Sequence, residues 1–136
     1  IEVKRKIQDF MWKYVGVVRT GKDMKKALKE LEKFKKIKLS AGDSLKNNKK
    51  IIAALDVQNM LPTCEMIISS ALFRKESRGA HYRSDYPISL EKFRKNIICT
   101  PISKGLKLTT NPISAIPKEI QVWLNKKINV QHHLLE

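Results

Sequence analysis

Along the first part of the chain, apolar residues recur at the three-and-four spacing of an α-helix, and turn chemistry divides that pattern into three segments. Ile7, Phe10, Met11 and Tyr14 share one side of the first segment, while Lys4, Lys6, Asp9 and Lys13 occupy the others. Gly16 stands where such a helix would stop. Thr20 then has the place of an N-cap, with Asp23 as the capping-box acid. From it run Met24, Ala27, Leu28, Leu31 and Phe34, backed by a wet side of Lys25, Lys26, Glu30, Lys33 and Lys36. Ser40, Gly42 and Asp43 mark a turn, and Ser44 caps a third helix expected over about 45–77. Ile51, Ile52, Leu55, Met60, Ile67, Ile68, Ala71 and Leu72 are its expected inward face. Pro62 predicts a kink or break there, because proline removes a backbone hydrogen bond and clashes with the preceding turn. Gly79 occupies the position of a C-terminal glycine cap.

Beyond Pro87 the period changes. Leu90 and Phe93 suit a short helical turn, and residues 96–100 and 106–110 read as two short strands around Gly105. Pro117 suits the first turn of a last helix carrying Ile120, Trp123, Leu124 and Ile128. The expected fold is therefore mainly α: a three-helix bundle with a short β-hairpin and a C-terminal helix. Residues 1–87 would form the bundle with its following loop, and 88–136 a mixed tail packed on it, one domain overall.

Composition refines this picture. With 42% hydrophobic and 30% charged residues, the 136-residue chain can bury a core and is not a disordered tail. Twenty-eight Lys and Arg against 13 Asp and Glu give a net charge of +15, which favours an anionic partner or surface. Lysines dispersed over amphipathic helices also serve simply to solvate exposed faces. Cys64 and Cys99 form no ligand spacing and no disulfide framework, which points to a reducing compartment. No uninterrupted run of about 18 apolar residues occurs, so no membrane span is expected, and no signal peptide is visible. The chain opens at Ile1, consistent with processing, a disordered start or a piece of something longer.

The densest polar constellation is Arg74-Lys-Glu-Ser-Arg-Gly-Ala-His-Tyr-Arg-Ser-Asp-Tyr-Pro87. Arg74 and Arg78, four apart, would share a helix face and could clamp an anion, or simply complement the helix dipole. His81, Arg83 and Asp85 alternate, as in an extended segment that projects them to one side. Together with Glu76 they suit either an acid/base pair with an anion clamp or salt bridges that fix the loop against a neighbour. His132 and His133 have no third ligand at metal spacing. Glu65 reads as a solvated or paired carboxylate, and Trp12 and Trp123 as core or interface anchors. Neither GxGxxG nor GxxxxGK[ST] occurs, so no nucleotide cradle is visible.

Three ordered segments carry a resemblance. Ile7-Gln-Asp-Phe-Met-Trp-Lys-Tyr-Val-Gly-Val-Val-Arg-Thr20, Leu55-Asp-Val-Gln-Asn-Met-Leu61 and the Arg74 to Pro87 segment, with Glu76-Ser-Arg-Gly-Ala-His81 inside it, resemble the C-terminal helical domain of the succinate dehydrogenase and fumarate reductase flavoproteins. L-Aspartate oxidase is the close relative. Leu28 and Leu31 fall where the intervening helix belongs, and the likeness covers residues 1–110. Pro62 and the tail beyond Pro112 depart from it.

The resemblance implies a spectrin-like bundle beside an FAD-binding domain of the same flavoprotein. The parent enzyme would move a hydride between flavin and a C4 dicarboxylate, or oxidise aspartate; the extension past Pro87 favours the former. The resemblance implies that the dinucleotide fingerprint and most substrate-binding histidines and arginines lie upstream, so no catalytic, cofactor-binding or metal-binding residue is assigned in this segment. Arg74, Glu76, Arg78, His81, Arg83 and Asp85 take an interface or structural role. An iron–sulfur subunit is a candidate partner, at a cytoplasmic location or peripheral to the cytoplasmic membrane face. The rival reading is a small basic nucleic-acid-binding module, against which stands the lack of aromatic interleaving among the basic residues.

Overall fold

A computed structural model describes residues 1–40 and 49–125, with side chains described as far as Gln121. The expected turn at Gly42 and Asp43, the Ser44 cap, Ile128 and the His132–His133 pair lie outside the described residues. Three helices carry the fold: α1 (Glu2–Val15), α2 (Gly21–Lys35) and α3 (Lys49–Phe73). A two-residue strand β1 (Val18–Arg19) follows α1, and its parallel partner β2 (Tyr82–Arg83) lies beyond α3. A 3₁₀ turn (Glu91–Phe93) leads into the antiparallel hairpin β3 (Lys95–Pro101) and β4 (Leu106–Pro112), and α4 (Lys118–Asn125) follows.

The apolar stripes of α1 and α2 form the core as their spacing predicts. Ile7, Phe10 and Val15 of α1 meet Met24, Ala27 and Leu31 of α2, and Val57, Cys64, Ile68 and Ala71 of α3 close the cluster. Ile7, Met24, Leu31 and Ile68 are fully buried, and each such side chain contributes about 1.5–3 kcal/mol of transfer free energy. The Phe10 ring packs on Tyr14 and Phe34 at centroid distances of 5.6 and 5.5 Å. Thr20 caps α2: its hydroxyl accepts from the Asp23 amide at 3.0 Å and donates to the Asp23 carboxylate at 2.7 Å. Gly16 ends α1, but not through a left-handed conformation, since its φ is −66°. A Cβ there would lie 2.5 Å from the Trp12 carbonyl oxygen, so the chain needs glycine for close backbone approach.

Three expectations for α3 are corrected. Its buried positions are Ala53, Val57, Cys64, Ile68 and Ala71, whereas Ile52, Leu55 and Ile67 are exposed. Apolar residues surround this helix nearly all round, so spacing alone does not decide which face turns inward. Of the kink or break expected at Pro62, the break does not occur, and the helix continues through it. Pro62 and Gln58, whose carbonyl loses its helical donor, are both exposed, so water can take the missing partner's place. Finally, the helix ends at Phe73 rather than near residue 77, and Gly79 is therefore not its cap.

By length and composition alone α3 would qualify to cross a membrane. Here it packs in the bundle beside α1 and α2, with Asp56 ion-paired to Lys4 and Glu65 to Lys35. The hairpin touches it where Ser70 Oγ meets Cys99 Sγ at 3.0 Å. Gly105, at φ +90°, makes the turn before β4. Residues 111–121 are all exposed, as is Trp12, which is therefore no core anchor.

Candidate functional site

The loop after α3 is built around two inward-turned ion clusters. Glu76 is completely buried. Its Oε1 accepts from Arg74 Nη1 at 2.6 Å and Arg78 Nε at 2.9 Å. Its Oε2 accepts from Arg78 Nη2 at 3.1 Å and the Leu90 amide at 2.6 Å. Burial alone would raise the carboxyl pKa, but the bonds from Arg78, Leu90 and Arg74 prevail and hold it at about 2. Arg74 continues to the carbonyls of Phe93 and Lys95 at 2.6 and 2.8 Å, which ties the start of the hairpin to the end of α3.

Arg83 is the centre of the second cluster and only 1% exposed. Its Nε and Nη2 form a bidentate pair with Asp85 at 2.7 and 2.6 Å. Its Nη1 reaches the carbonyls of Ala71, Leu72 and Arg74 at 3.0, 3.3 and 3.2 Å, where the C-terminus of α3 needs donors. Asp85 Oδ2 accepts from the Gly21 amide at 2.9 Å, at the N-terminus of α2. The Arg83 pairing leads the causes that hold the Asp85 carboxyl down at about 2, while partial burial opposes it. A Cβ on Gly21 would lie 3.0 Å from Asp85 Oδ2 and 3.1 Å from Arg83 Nη2, so this close approach also needs glycine.

His81 takes a different place from its neighbours. Its Nδ1 lies 3.0 Å from Arg19 Nη1, and its Nε2 lies 3.3 Å from the Arg74 carbonyl. A guanidinium can only donate and a carbonyl only accept, so Nδ1 is bare and Nε2 carries the proton. Burial first, then the charges of Arg19, Arg74 and Arg83, push the imidazole below its usual range, against the opposing Arg74 bond. Arg19 Nε in turn donates to the carbonyls of Val15 and Gly16 at 3.1 and 2.9 Å, closing the end of α1. Gly79, at φ +56°, opens the two-residue turn through which Arg78 and His81 exchange backbone bonds at 2.8 and 3.0 Å.

The expected pairing of Arg74 and Arg78 on one helix face is thus replaced by convergence on Glu76, because α3 has already ended. Arg83 and Asp85 do meet, but His81 turns away to Arg19, and no hydrogen bond joins it to Asp85. An acid/base pair is not assembled. Sequence reading missed Arg19, Gly21 and Ser77, whose hydroxyl accepts from the Arg83 amide at 2.9 Å and donates to the Tyr86 carbonyl at 2.9 Å. Glycine directly after a threonine cap was the available signal for Gly21, since helix starts seldom favour it.

A flavin dinucleotide does not fit these residues. Arg74, Arg78 and Arg83 already hold carboxylates and carbonyls, and the Gly21 amide at the start of α2 is taken by Asp85. Among the described residues no metal-ligating cluster occurs.

Comparison with known proteins shows the family. The family described as the fumarate reductase flavoprotein C-terminus matches residues 4–126. An FAD-dependent oxidoreductase of Methanocaldococcus jannaschii is 37% identical over 112 residues, covering 79% of this chain and 18% of that protein. The L-aspartate oxidase of Pseudomonas aeruginosa is 39% identical over 97 residues, 71% of this chain and 17% of the relative. Among solved structures, an E. coli quinol fumarate reductase chain superposes with a TM-score of 0.73 at 25% identity, covering 85% of this chain and 21% of that one. The chain thus spans about a fifth of the length of the relatives it matches. By sequence and by fold, it belongs to the C-terminal domain family of the fumarate reductase and succinate dehydrogenase flavoproteins, which extends to L-aspartate oxidase.

Proposed function

We propose that this chain acts as the helical domain of an FAD-dependent oxidoreductase, packing on the flavin-binding domain and presenting the 74–87 loop as part of that interface. Supporting the reading is the direction of the loop's charges. Glu76 and Arg83 are buried and fully engaged, so the loop is a rigid support rather than a set of reactive groups. Exposed Ile52, Leu55 and Ile67 on α3, Trp12 on α1, and Val17 and Val18 just beyond it are apolar surface of the kind another domain covers.

The parent reaction in this reading is hydride transfer between flavin and a C4 dicarboxylate. FAD, held elsewhere in the parent, supplies the redox chemistry. The 39% identity to an L-aspartate oxidase supports the second parent reaction, oxidation of aspartate. An iron–sulfur subunit is the acidic partner that the +15 charge would steer, since such charge acts mainly on encounter rate. The site of action would be the cytoplasm or the cytoplasmic membrane face.

The test is a chimera in which this chain replaces the C-terminal segment of the P. aeruginosa L-aspartate oxidase. The expected product retains the flavin absorbance band near about 450 nm and oxidises aspartate. A soluble, folded chimera without flavin or turnover would overturn the proposal.

A further inference from the structure

We propose that the hollow between α3, β1 and β3 is a carboxylate-binding site with Arg19 as its receptor. The hollow has a volume of about 380 Å³ and is lined by Arg19, Met66, Ile67, Ser70, His81 and Ile97, among others. Its size falls within the range of small-ligand sites, and its walls are apolar apart from the Ser70 hydroxyl, the His81 imidazole and the guanidiniums of Arg19 and Arg74, the latter already engaged with Glu76 and two carbonyls.

Charge and hydrogen bonding favour an anion there. Arg19, Arg74, Arg78 and Arg83 surround His81 and its loop, while Glu76 and Asp85 are the carboxylates engaged with them. Four guanidinium groups against two carboxylates leave two positive charges uncompensated. Arg19 is the member of this group with no carboxylate within 4.0 Å among the described residues. Its Nε serves two carbonyls and its Nη1 serves His81. Three of a guanidinium's five N–H donors therefore have no protein partner among the described residues. A half-buried guanidinium in this condition suits a carboxylate, whose two oxygens match parallel N–H donors. The walls formed by Met66, Ile67 and Ile97 favour a small apolar body on that carboxylate. His81, neutral with its bare nitrogen facing Arg19, holds the guanidinium without cancelling its charge.

This inference does not depend on the flavoprotein reading, because it concerns the 136-residue chain alone. Two sources share the chemistry: a free small acid and an Asp or Glu side chain of a packed protein. NMR titration of the chain with isobutyrate and with a blocked alanyl-glutamyl-alanine peptide, against chloride at equal ionic strength, tests it. Saturable shifts at the Arg19 side chain and His81 ring, with at least about tenfold tighter binding than chloride, are expected. Tighter binding of isobutyrate would assign a free acid, and of the peptide a protein side chain. Arg19→Gln should abolish the response. Because Arg19 also closes α1, Met66→Glu gives a second route. Its carboxylate should engage Arg19 internally, raise the melting temperature and remove the response to added acid. Shifts no stronger than those from chloride, or an undiminished response in a folded Arg19→Gln chain, would overturn the proposal.

Discussion

Replacing Glu76 with glutamine tests the inward-turned cluster most directly. The change preserves shape but removes the charge and one acceptor, because an amide has one oxygen and one donor group. In wild type, Oε1 receives Arg74 and Arg78 at 2.6 and 2.9 Å, and Oε2 receives Arg78 and the Leu90 amide at 3.1 and 2.6 Å. Either amide orientation places an NH₂ against two donors, so two of these bonds are lost whichever way the side chain sits. A hydrogen bond to a charged group is worth about 1.5–3 kcal/mol, and relaxation recovers part of it, so a loss of about 3 kcal/mol is expected. Urea denaturation should register it as a midpoint about 2 M lower at an m-value of about 1.5 kcal/mol/M.

The pH dependence supplies the sign. Folding lowers the Glu76 pKa from 4.5 to about 2, so its stabilisation is complete above pH 4.5 and disappears as pH falls towards 2. The gap between wild type and Glu76→Gln should therefore be widest near neutral pH and close across that interval. Asp85 is present in both proteins and cancels. A variant within about 1 kcal/mol of wild type, or a gap that does not change between pH 6 and pH 2.5, would refute the buried cluster.

Arg83→Lys should cost about 3 kcal/mol in the same assay, because an ammonium cannot hold Asp85 bidentately and also reach three carbonyls at the end of α3. Gly16→Ala should destabilise by more than about 2 kcal/mol through its 2.5 Å backbone clash, while Gly79→Ala, with open space around it, should lose only about 1 kcal/mol from its positive φ. Gly21→Ala should lower stability by about 1 kcal/mol, since its closest neighbour, Asp85, is pinned and cannot move aside. The His81 ring, followed by NMR, should titrate below 6.5, and its share of stability, present above that value, should decline as pH falls through its lowered folded pKa.

Much of the bundle was legible because amphipathic periodicity and burial report the same physics. Met24, Ala27 and Leu31 stand inside where the α2 stripe places them, and Thr20 with Asp23 begins that helix as cap chemistry requires. α3 escaped this logic. When apolar side chains surround a helix, the neighbours' shapes decide its rotation, so small Ala53 and Ala71 face the core while larger Ile52, Leu55 and Ile67 do not. Arg74, Glu76, Arg78, His81, Arg83 and Asp85 were visible as a dense polar run, but their pairing was not. Spacing on a presumed helix joined Arg74 to Arg78, whereas a chain leaving the helix at Phe73 can fold both onto Glu76. Arg19 was hidden for a related reason: its partner His81 lies 62 positions away and is reached only through the β1–β2 pairing.

That pairing explains why one loop concentrates so many ions. A helix end leaves backbone donors or acceptors unsatisfied, and three such ends meet here. Arg19 serves the last carbonyls of α1, Asp85 the first amide of α2, and Arg83 the last carbonyls of α3. The residues that close the helices must carry charge opposite to each end's dipole, so two arginines and one aspartate are drawn to one place. Asp85 and Arg83 neutralise each other, and Glu76 answers Arg74 and Arg78. Arg19 answers a helix end but has no carboxylate of its own among the described residues, which makes it the position where the next anion belongs.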